Sequence, residues 1–317
     1  MKAIMYHYVR PTPADLPFSR YLHIDDFRKQ LDFFAADEGF VTREDFLAVF
    51  DGGPIPDKGV VLTFDDAIDD HYRHVLPELR LRGLWGLFYV PTGMYAGGGM
   101  LDVHRVHYLL GRHGGMAMLA ELEAMVEPRM LRSDHVAEFQ HKTYRSQTND
   151  EATTEFKRML NYFVDIEWRD RLLDRLMERF ADAEVVSRDW YMSSRDIRDM
   201  QHAGMIIGSH SISHPVFSRL PVADQEREIV GSFAYLEDVT GGLAVRTFCY
   251  PHGGFHTFTA DTERLLDEHR CRFSFNVEPR DISRDDIHHR PQALPRYNCN
   301  MFPHGKARFG ADESMDA

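Results

Sequence analysis

The sequence has little cysteine, no basic tract and no long apolar run, and each shortage excludes a class of protein. Its 317 residues include only Cys249, Cys271 and Cys299, an odd number without a CxxC pair, which excludes a disulfide scaffold and indicates a reducing compartment. Acidic residues outnumber basic ones by 50 to 37, so we expect no nucleic-acid partner, because such binding depends on clustered basic side chains. The longest clearly apolar stretch, near residues 83–90, is far shorter than the roughly 18 residues of a membrane span.

The first residues, MKAIMYHYVRPTP, also lack the apolar stretch of a secretion signal. His7, Arg10 and Pro11 interrupt this segment, and we therefore expect a cytoplasmic protein. A chain of this length buries a large core without help from a structural metal. We therefore expect any metal that the protein binds to have a functional role and not a structural one. The sequence gives no basis for predicting the oligomeric state.

Short apolar strands alternate with helical segments, which is typical of an α/β fold with a parallel sheet. Strands are predicted at 3–6, 59–64, 84–90, 205–207, 245–250 and 272–276, and helices at about 70–82 and 259–269. Phe27, Leu31 and Phe34 share one helical face, and Ser194 is the predicted N-cap of another helix. From about 100 to 190 the sequence is rich in helix formers, which predicts a helical insertion in a single domain spanning 1–317.

Two adjacent carboxylates, Asp65 and Asp66, directly follow the predicted strand GVVLTF. The carboxyl ends of parallel strands are where α/β folds concentrate function. Adjacent carboxylates repel each other and resist desolvation, so this position favours a nearby cation or proton. A solvated loop pair is the alternative interpretation when the pair is considered alone.

Two histidines, His210 and His214, follow the predicted strand MIIG. On a helical turn, residues four apart share one face, which lets two imidazoles bind one metal ion. In a chain with 18 histidines this spacing also arises by chance. Together with one carboxylate of the aspartate pair, however, the two histidines would form an open three-ligand site suited to hydrolysis.

Three segments, TFDD (63–66), HSISH (210–214) and FCYPHG (248–253), appear in the order found in one enzyme family. They resemble the polysaccharide deacetylase family, the metal-dependent carbohydrate esterases of family 4 with a NodB homology domain. The resemblance implies a distorted (β/α) barrel with fewer than eight regular strands. It implies that Asp65 is the general base and that Asp66, His210 and His214 bind a divalent metal, zinc in the first instance, with Co²⁺, Ni²⁺ and Mn²⁺ as alternatives.

The sequence departs from the family pattern at three points. Cys249 stands where many members have arginine, and His252 stands where tyrosine is usual. The late motif that normally carries a catalytic histidine reads LPRYN (294–298) and contains none. Some members instead carry this histidine in an N-terminal strand similar to IMYHYV, which makes His7 the candidate acid. Its alternative interpretation is a core histidine at a strand end.

The family mechanism predicts further roles near the third segment. A tetrahedral oxyanion needs a backbone N–H in the turn after Tyr250, and because Pro251 has none, the donor is His252 or Gly253. An arginine is expected to keep Asp65 ionised in place of the one missing at position 249. Arg296 and Arg246 are both candidates, and the sequence does not separate them.

The predicted insertion carries one further candidate site, LDVHRVHYLL. His104, Arg105 and His107 could meet an anionic sugar or a nucleotide phosphate. A solvated helical face is the alternative. The insertion as a whole is interpreted equally well as a lid or as a substrate-recognition element.

The function expected from these features is removal of an N-acetyl group from an amino sugar. A cytoplasmic location would make the substrate a nucleotide- or lipid-linked precursor of surface polysaccharide, such as O-antigen or capsule. Hydrolysis of another amide, in an N-formyl sugar or a cyclic ureide, is the first alternative. A non-catalytic saccharide-binding protein of the same fold is the second, suggested by Cys249 and the missing late histidine.

Overall fold

The computed structural model describes residues 1–97, 99–131, 150–181 and 183–309, which form two compact units. The first contains Met1–Pro11, Tyr21–Gly99 and Arg188–Ala307. The second contains Thr12–Arg20, Met100–Ser187 and the residues from Arg308. The predicted insertion of about 100–190 coincides with the largest part of the second unit, whereas nothing in the sequence indicated that Thr12–Arg20 belongs to it. That all 317 residues form a single domain stays a prediction.

The described residues contain ten strands, seven of which form one parallel sheet in the first unit. The order across this sheet is β8-β7-β6-β5-β4-β1-β9, and each pair of adjacent strands is parallel. The ten strands are β1 (Lys2–Tyr6), β2 (Val9–Arg10), β3 (Arg20–His23), β4 (Val60–Asp65), β5 (Leu87–Val90), β6 (Ile206–Ser209), β7 (Thr247–Cys249), β8 (Phe273–Phe275), β9 (Tyr297–Asn298) and β10 (Arg308–Phe309).

Helices connect these strands, as parallel pairing requires. In the described residues no helix combines the length and apolar character of a membrane span. The α-helices are Ile24–Asp37, Arg43–Ala48, Leu76–Leu81, Gly93–Gly97, Asp102–Met125, Glu151–Arg158, Ile166–Phe180, Ala183–Trp190, Ser194–His202, Val222–Thr240, Ala260–Glu268 and Arg284–His289.

The curled sheet with its helices confirms the predicted distorted (β/α) barrel, and each predicted strand overlaps an observed one. Phe27, Leu31 and Phe34 are fully buried on one face of Ile24–Asp37, as predicted. The strand β9 was not predicted, because only two of its residues pair with β1. Two residues give too short a pattern to read from sequence.

Two local predictions need correction. The helix expected at 70–82 begins as a π-helical turn, His71–Val75, because Pro77 has no N–H for the usual bond four residues back. The N-cap of Ser194–His202 is Ser193 and not Ser194. Ser193 and Asp196 bond each other's backbone N–H in a capping box, and only Ser193 has a carboxylate three residues later.

Alternate residues of the sheet strands face opposite sides, and both sides are buried. One side packs beneath the surrounding helices and includes Leu62, Phe64 and Phe88. The other side faces the inside of the curled sheet and includes Val61, Leu87, Tyr89, Cys249 and Phe275. Gly208 is required there, because a Cβ at this position would lie 2.5 Å from the Tyr89 ring.

The segment 294–298 links the two edges of the sheet. Leu294 forms a parallel bridge with Phe275 of β8, and Tyr297 and Asn298 pair with β1. The residue between these pairings, Arg296, is 1% exposed and is the largest fully buried side chain of the described residues. Closure of the sheet therefore places a guanidinium inside it.

The second unit is helical. Asp102–Met125 packs against Glu151–Arg158 and Ile166–Phe180. Gly114 breaks Asp102–Met125 with φ 79° and ψ 162°, a conformation that glycine accommodates readily. The fully buried side chains of the second unit include the apolar residues Leu109, Met118, Leu122, Phe156, Leu173 and Leu176.

A matched pair of leucine substitutions tests this description of the core. Leu31 is 0% exposed, whereas Leu81, at the end of Leu76–Leu81, is 80% exposed. Leu31→Ala is expected to lower the free energy of unfolding by about 2–5 kcal/mol, because it leaves a cavity. Leu81→Ala is expected to change it by less than about 0.5 kcal/mol. Urea denaturation measures both, and equal effects would contradict the assigned packing.

Candidate metal centre

The two aspartates of TFDD point in different directions because the backbone turns sharply between them. Asp65 is the last residue of β4 and faces the inside of the sheet. Asp66 and Ala67 have φ of 81° and 55°, values that are uncommon for residues other than glycine. The Asp66 N–H donates to the Tyr89 carbonyl at 3.0 Å, which holds this turn against β5.

The two histidines of HSISH lie in a loop and not on a helical turn, which corrects the local structure predicted from their spacing. The loop follows β6, and Ser211 and His214 have φ of 68° and 58°. These two left-handed residues fold the loop back, so the rings of His210 and His214 still meet, with centroids 4.8 Å apart. The spacing predicted the proximity, but the geometry that produces it is different.

Glu228, which the sequence analysis did not single out, holds this loop in place. Its Oε2 accepts the backbone N–H of Ile212 and of Ser213, both at 2.8 Å, and its Oε1 accepts the Ser213 hydroxyl at 2.7 Å. Glu228 lies in Val222–Thr240 and is 8% exposed. A glutamate inside a helix looks like an ordinary surface residue in sequence, and no motif distinguished it.

Asp66, His210 and His214 form a compact set of three ligand atoms. The Oδ1 of Asp66 lies 3.5 Å from Nε2 of His210 and 3.7 Å from Nε2 of His214. Ligand atoms bound tetrahedrally to zinc at about 2.0–2.1 Å are roughly 3.3–3.4 Å apart. The residues therefore fit a divalent cation held by two imidazoles and one carboxylate. The sequence prediction named these same three residues.

The ring of His210 is oriented for this role by its other nitrogen. The Nδ1–H donates to the Cys249 carbonyl at 2.7 Å, which leaves the lone pair of Nε2 directed toward Asp66. Burial, partly opposed by Asp65 and Asp66, lowers the pKa of His210 below its ordinary value. A neutral imidazole of fixed tautomer is the form that binds a metal.

Asp65 is 2% exposed and is held by Arg296 in a two-point contact. The guanidinium donates from Nη1 to Oδ1 and from Nη2 to Oδ2, both at 2.9 Å. Arg296 also donates to Thr63 Oγ1 at 3.0 Å, to the Asn276 carbonyl at 3.0 Å and to the Cys249 sulfur at 2.9 Å. Its donors are thus shared among five acceptors, which compensates for its burial.

This contact sets the ionisation of Asp65. Burial by itself raises the pKa of the carboxyl, but the attraction of Arg296 and His210, with the hydrogen bonds from Arg296, holds the pKa below its ordinary value. Asp65 is therefore a carboxylate near neutral pH, as a proton acceptor must be. Arg246, the other candidate for this contact, pairs instead with Glu237 at 2.7 and 3.0 Å and donates to the His269 carbonyl.

His7 lies next to Asp66, one of the three residues of the ligand set. It follows β1, its side chain is 38% exposed, and its Nε2 is 3.8 Å from Oδ2 of Asp66. The late segment LPRYN supplies Arg296 rather than a histidine. The structure thus places His7, the candidate acid, beside Asp66 and leaves its side chain partly accessible.

The turn PHGG also reaches the site. The ring of His252 lies 4.8 Å from that of His214, and burial is the main cause that lowers its pKa. His252 and Gly253 both have left-handed φ, 63° and 72°, and a Cβ on Gly253 would lie 2.2 Å from Val277. Tyr250 does not face the site, because its ring stacks on Phe258 at 3.8 Å and its hydroxyl donates to the Gln292 carbonyl.

The remaining candidates lie in the second unit. His104 is fully buried, and the rings of His104 and His107 are 6.1 Å apart. Arg105 forms ion pairs with Asp102 and Asp174. The guanidinium is thus engaged with carboxylates of its own unit. An anion-binding role for these three residues stays a prediction.

Fold and site together define an α/β-barrel protein with a hydrolase-type site at the carboxyl ends of its strands. The model of the polysaccharide deacetylase family matches residues 52–272, about seven tenths of the chain. The chain therefore belongs to the polysaccharide deacetylase family, a family of carbohydrate hydrolases, and the resemblance seen in its three sequence segments is confirmed.

Solved structures share the fold at low sequence identity. The deacetylase PplD of Streptococcus pyogenes, solved with acetate, has a TM-score of 0.57 at 15% identity, covering 96% of this chain and 95% of PplD. IcaB of Ammonifex degensii has a TM-score of 0.54 at 18% sequence identity, covering 94% of this chain and 90% of IcaB. The BpsB deacetylase domain of Bordetella bronchiseptica has a TM-score of 0.53 at 14% sequence identity, covering 94% of each chain. Among curated proteins, no relative matches the chain.

Proposed function

We propose that the protein is a metal-dependent amide hydrolase that removes an N-acetyl group from an amino sugar. The observation that carries the proposal is the pairing of two distinct carboxylates at one strand end. Asp65 is buried and held ionised by Arg296, and Asp66 forms a ligand set with two imidazoles. A module that only bound saccharide would have no need for a buried base next to such a set.

The residues of the set would hold the metal, which we propose to be zinc, with cobalt, nickel and manganese as alternatives. Two histidines and one carboxylate, with room for water and substrate, are the donors of an open catalytic zinc site. When bound, the cation would polarise a water molecule and the acyl carbonyl. Asp65 would accept the proton of the attacking water, because its ionised carboxylate lies beside the ligand residue His210.

The remaining steps concern charge on the substrate. The oxyanion formed by attack would be stabilised by the backbone N–H of His252 or Gly253, in the left-handed turn beside His214. His7 would donate a proton to the leaving amine, which otherwise leaves poorly. Its partial exposure beside Asp66 supports this role.

The identity of the acyl group and of the sugar carrier is the finer part of the proposal. We propose an acetamido sugar carried on a nucleotide or lipid, as in precursors of surface polysaccharide. An N-formyl sugar or a cyclic ureide is the alternative that the same site could hydrolyse.

A panel of substrates tests the function directly. The zinc-reconstituted protein is incubated with UDP- and dTDP-linked acetamido sugars, a lipid-linked acetamido sugar, and N-formyl analogues. We expect loss of acetyl mass from at least one acetamido sugar, with release of acetate. Formate as the main product would favour the N-formyl alternative. If an acetylated polysaccharide added to the panel were the one substrate hydrolysed, the proposed precursor substrate would be contradicted.

A matched pair of substitutions at neighbouring positions separates the base from the ligand. Asp65→Asn is expected to retain stoichiometric metal but to lower kcat by about two to four orders of magnitude, the usual range for a general base. Asp66→Asn is expected to lose the metal, since a three-ligand site depends on each ligand. Metal analysis and steady-state kinetics check both. The assignment fails if Asp65→Asn loses the metal while Asp66→Asn keeps it.

His7 is tested by comparing an amide substrate with an ester of similar shape. His7→Ala is expected to slow amide hydrolysis by about 10²–10⁴-fold and ester hydrolysis by much less, because an alkoxide leaves with less help from an acid than an amine does. The ratio of the two kcat/KM values is the measurement. Equal losses would instead indicate a structural or oxyanion role for His7.

A further inference from the structure

The chain segment that carries His7 is bonded to two adjacent residues of the turn that follows Asp66. The Nε2–H of His71 donates to the His7 carbonyl at 2.8 Å. The neighbouring Asp70 accepts the backbone N–H of Val9 at 3.0 Å and the Nε–H of Arg10 at 2.7 Å. The end of β1 is therefore fixed to the same stretch of chain that positions the aspartates.

The tautomer of His71 follows from this contact. A carbonyl only accepts, so the proton is on Nε2, and Nδ1 is a bare acceptor. Within the described part of the chain, this Nδ1 is buried with no hydrogen-bond partner. Burial, the largest cause, lowers the pKa of His71 to about 4, so the ring is neutral at physiological pH.

Packing alone does not explain a histidine at this position. The His71 ring packs against both Phe64 and Phe88, which stack on each other at 4.6 Å, with centroid distances of 5.6 and 5.7 Å. A phenylalanine would fill a similar space and would not bury an unsatisfied nitrogen, which is unfavourable. What histidine adds is the single donor to the His7 carbonyl.

We propose that His71 is a positioning residue that acts through His7, holding the peptide after His7 so that its imidazole stays at the reacting amide nitrogen. This rests on the proposed role of His7 as the acid. The physical reason is distance, since a displacement of about 1 Å can cost about 100-fold in rate. The bond also keeps acid and base in register, because His71 follows Asp65 and Asp66 along the same chain segment.

Three single variants test the proposal: His71→Phe, His71→Gln and, as a control, His74→Phe. His71→Phe removes the donor but keeps an aromatic ring, and His71→Gln keeps a side-chain N–H donor. His74 is half-buried in the same π-helical turn and is a matched histidine. We expect His71→Phe to lower the amide-to-ester ratio of kcat/KM by about 10–100-fold, His71→Gln to restore most of it, and His74→Phe to leave it unchanged.

Coupling to His7 distinguishes positioning from a general structural effect. In the double variant His7→Ala/His71→Phe, the ratio is expected to be that of His7→Ala alone, because the acid through which His71 acts is gone. A further fall in the ratio would overturn the proposal. If His7→Ala itself leaves the ratio unchanged, the proposed acid fails, and with it this inference.

A second readout needs neither substrate nor metal. Hydrogen–deuterium exchange of the peptide covering residues 2–11 is expected to rise in His71→Phe, to return toward the parent value in His71→Gln, and to stay unchanged in His74→Phe. Thermal unfolding verifies that each variant is folded. If His71→Phe is folded, exchanges like the parent and keeps the parent ratio, His71 only fills space. If the ratio falls while His7→Ala has no effect on it, His71 acts on something other than His7.

Discussion

The buried ion pair between Asp65 and Arg296 is the interaction on which the arrangement of the site depends. It joins the end of β4 to the segment 294–298, which bridges the two edges of the sheet. A charge without its partner inside a protein is strongly unfavourable, and removing one member of such a pair commonly costs about 3–5 kcal/mol. Each of the two groups therefore requires the other. The same contact connects β4 to the segment that closes the sheet and keeps Asp65 ionised.

That contact lets two adjacent carboxylates serve different purposes. Asp65 faces inward toward Arg296, and the left-handed backbone at Asp66 directs the second carboxylate toward His210 and His214. Neighbouring carboxylates that shared one environment would repel each other, and one would take up a proton. Here the repulsion is relieved on one side by a guanidinium and on the other by a set of ligands suited to a cation. The strained backbone is the local consequence of this separation.

Residues outside the site keep its parts in register. Glu228 fixes the loop of the two histidines from Val222–Thr240, and His71 fixes the peptide of His7 from the turn after Asp66. Both bond backbone groups, and Glu228 also accepts the Ser213 hydroxyl. His7, the aspartate pair and the two histidines lie at or just after the ends of three different strands, β1, β4 and β6, so their proximity depends on such contacts.

The sequence by itself determined the alternation of strands and helices, the family and the candidate site residues Asp65, Asp66, His210 and His214, because these follow from local periodicity and from contiguous motifs. It gave no basis for choosing Arg296 over Arg246, since both were plausible in composition and only the closure of the sheet brings one of them to Asp65. It predicted a helical turn for His210–His214, where left-handed residues and Glu228 produce a loop. It overlooked Glu228, and it did not connect His71 with His7. These contacts join residues far apart in the chain, and tertiary folding alone decides which of them meet.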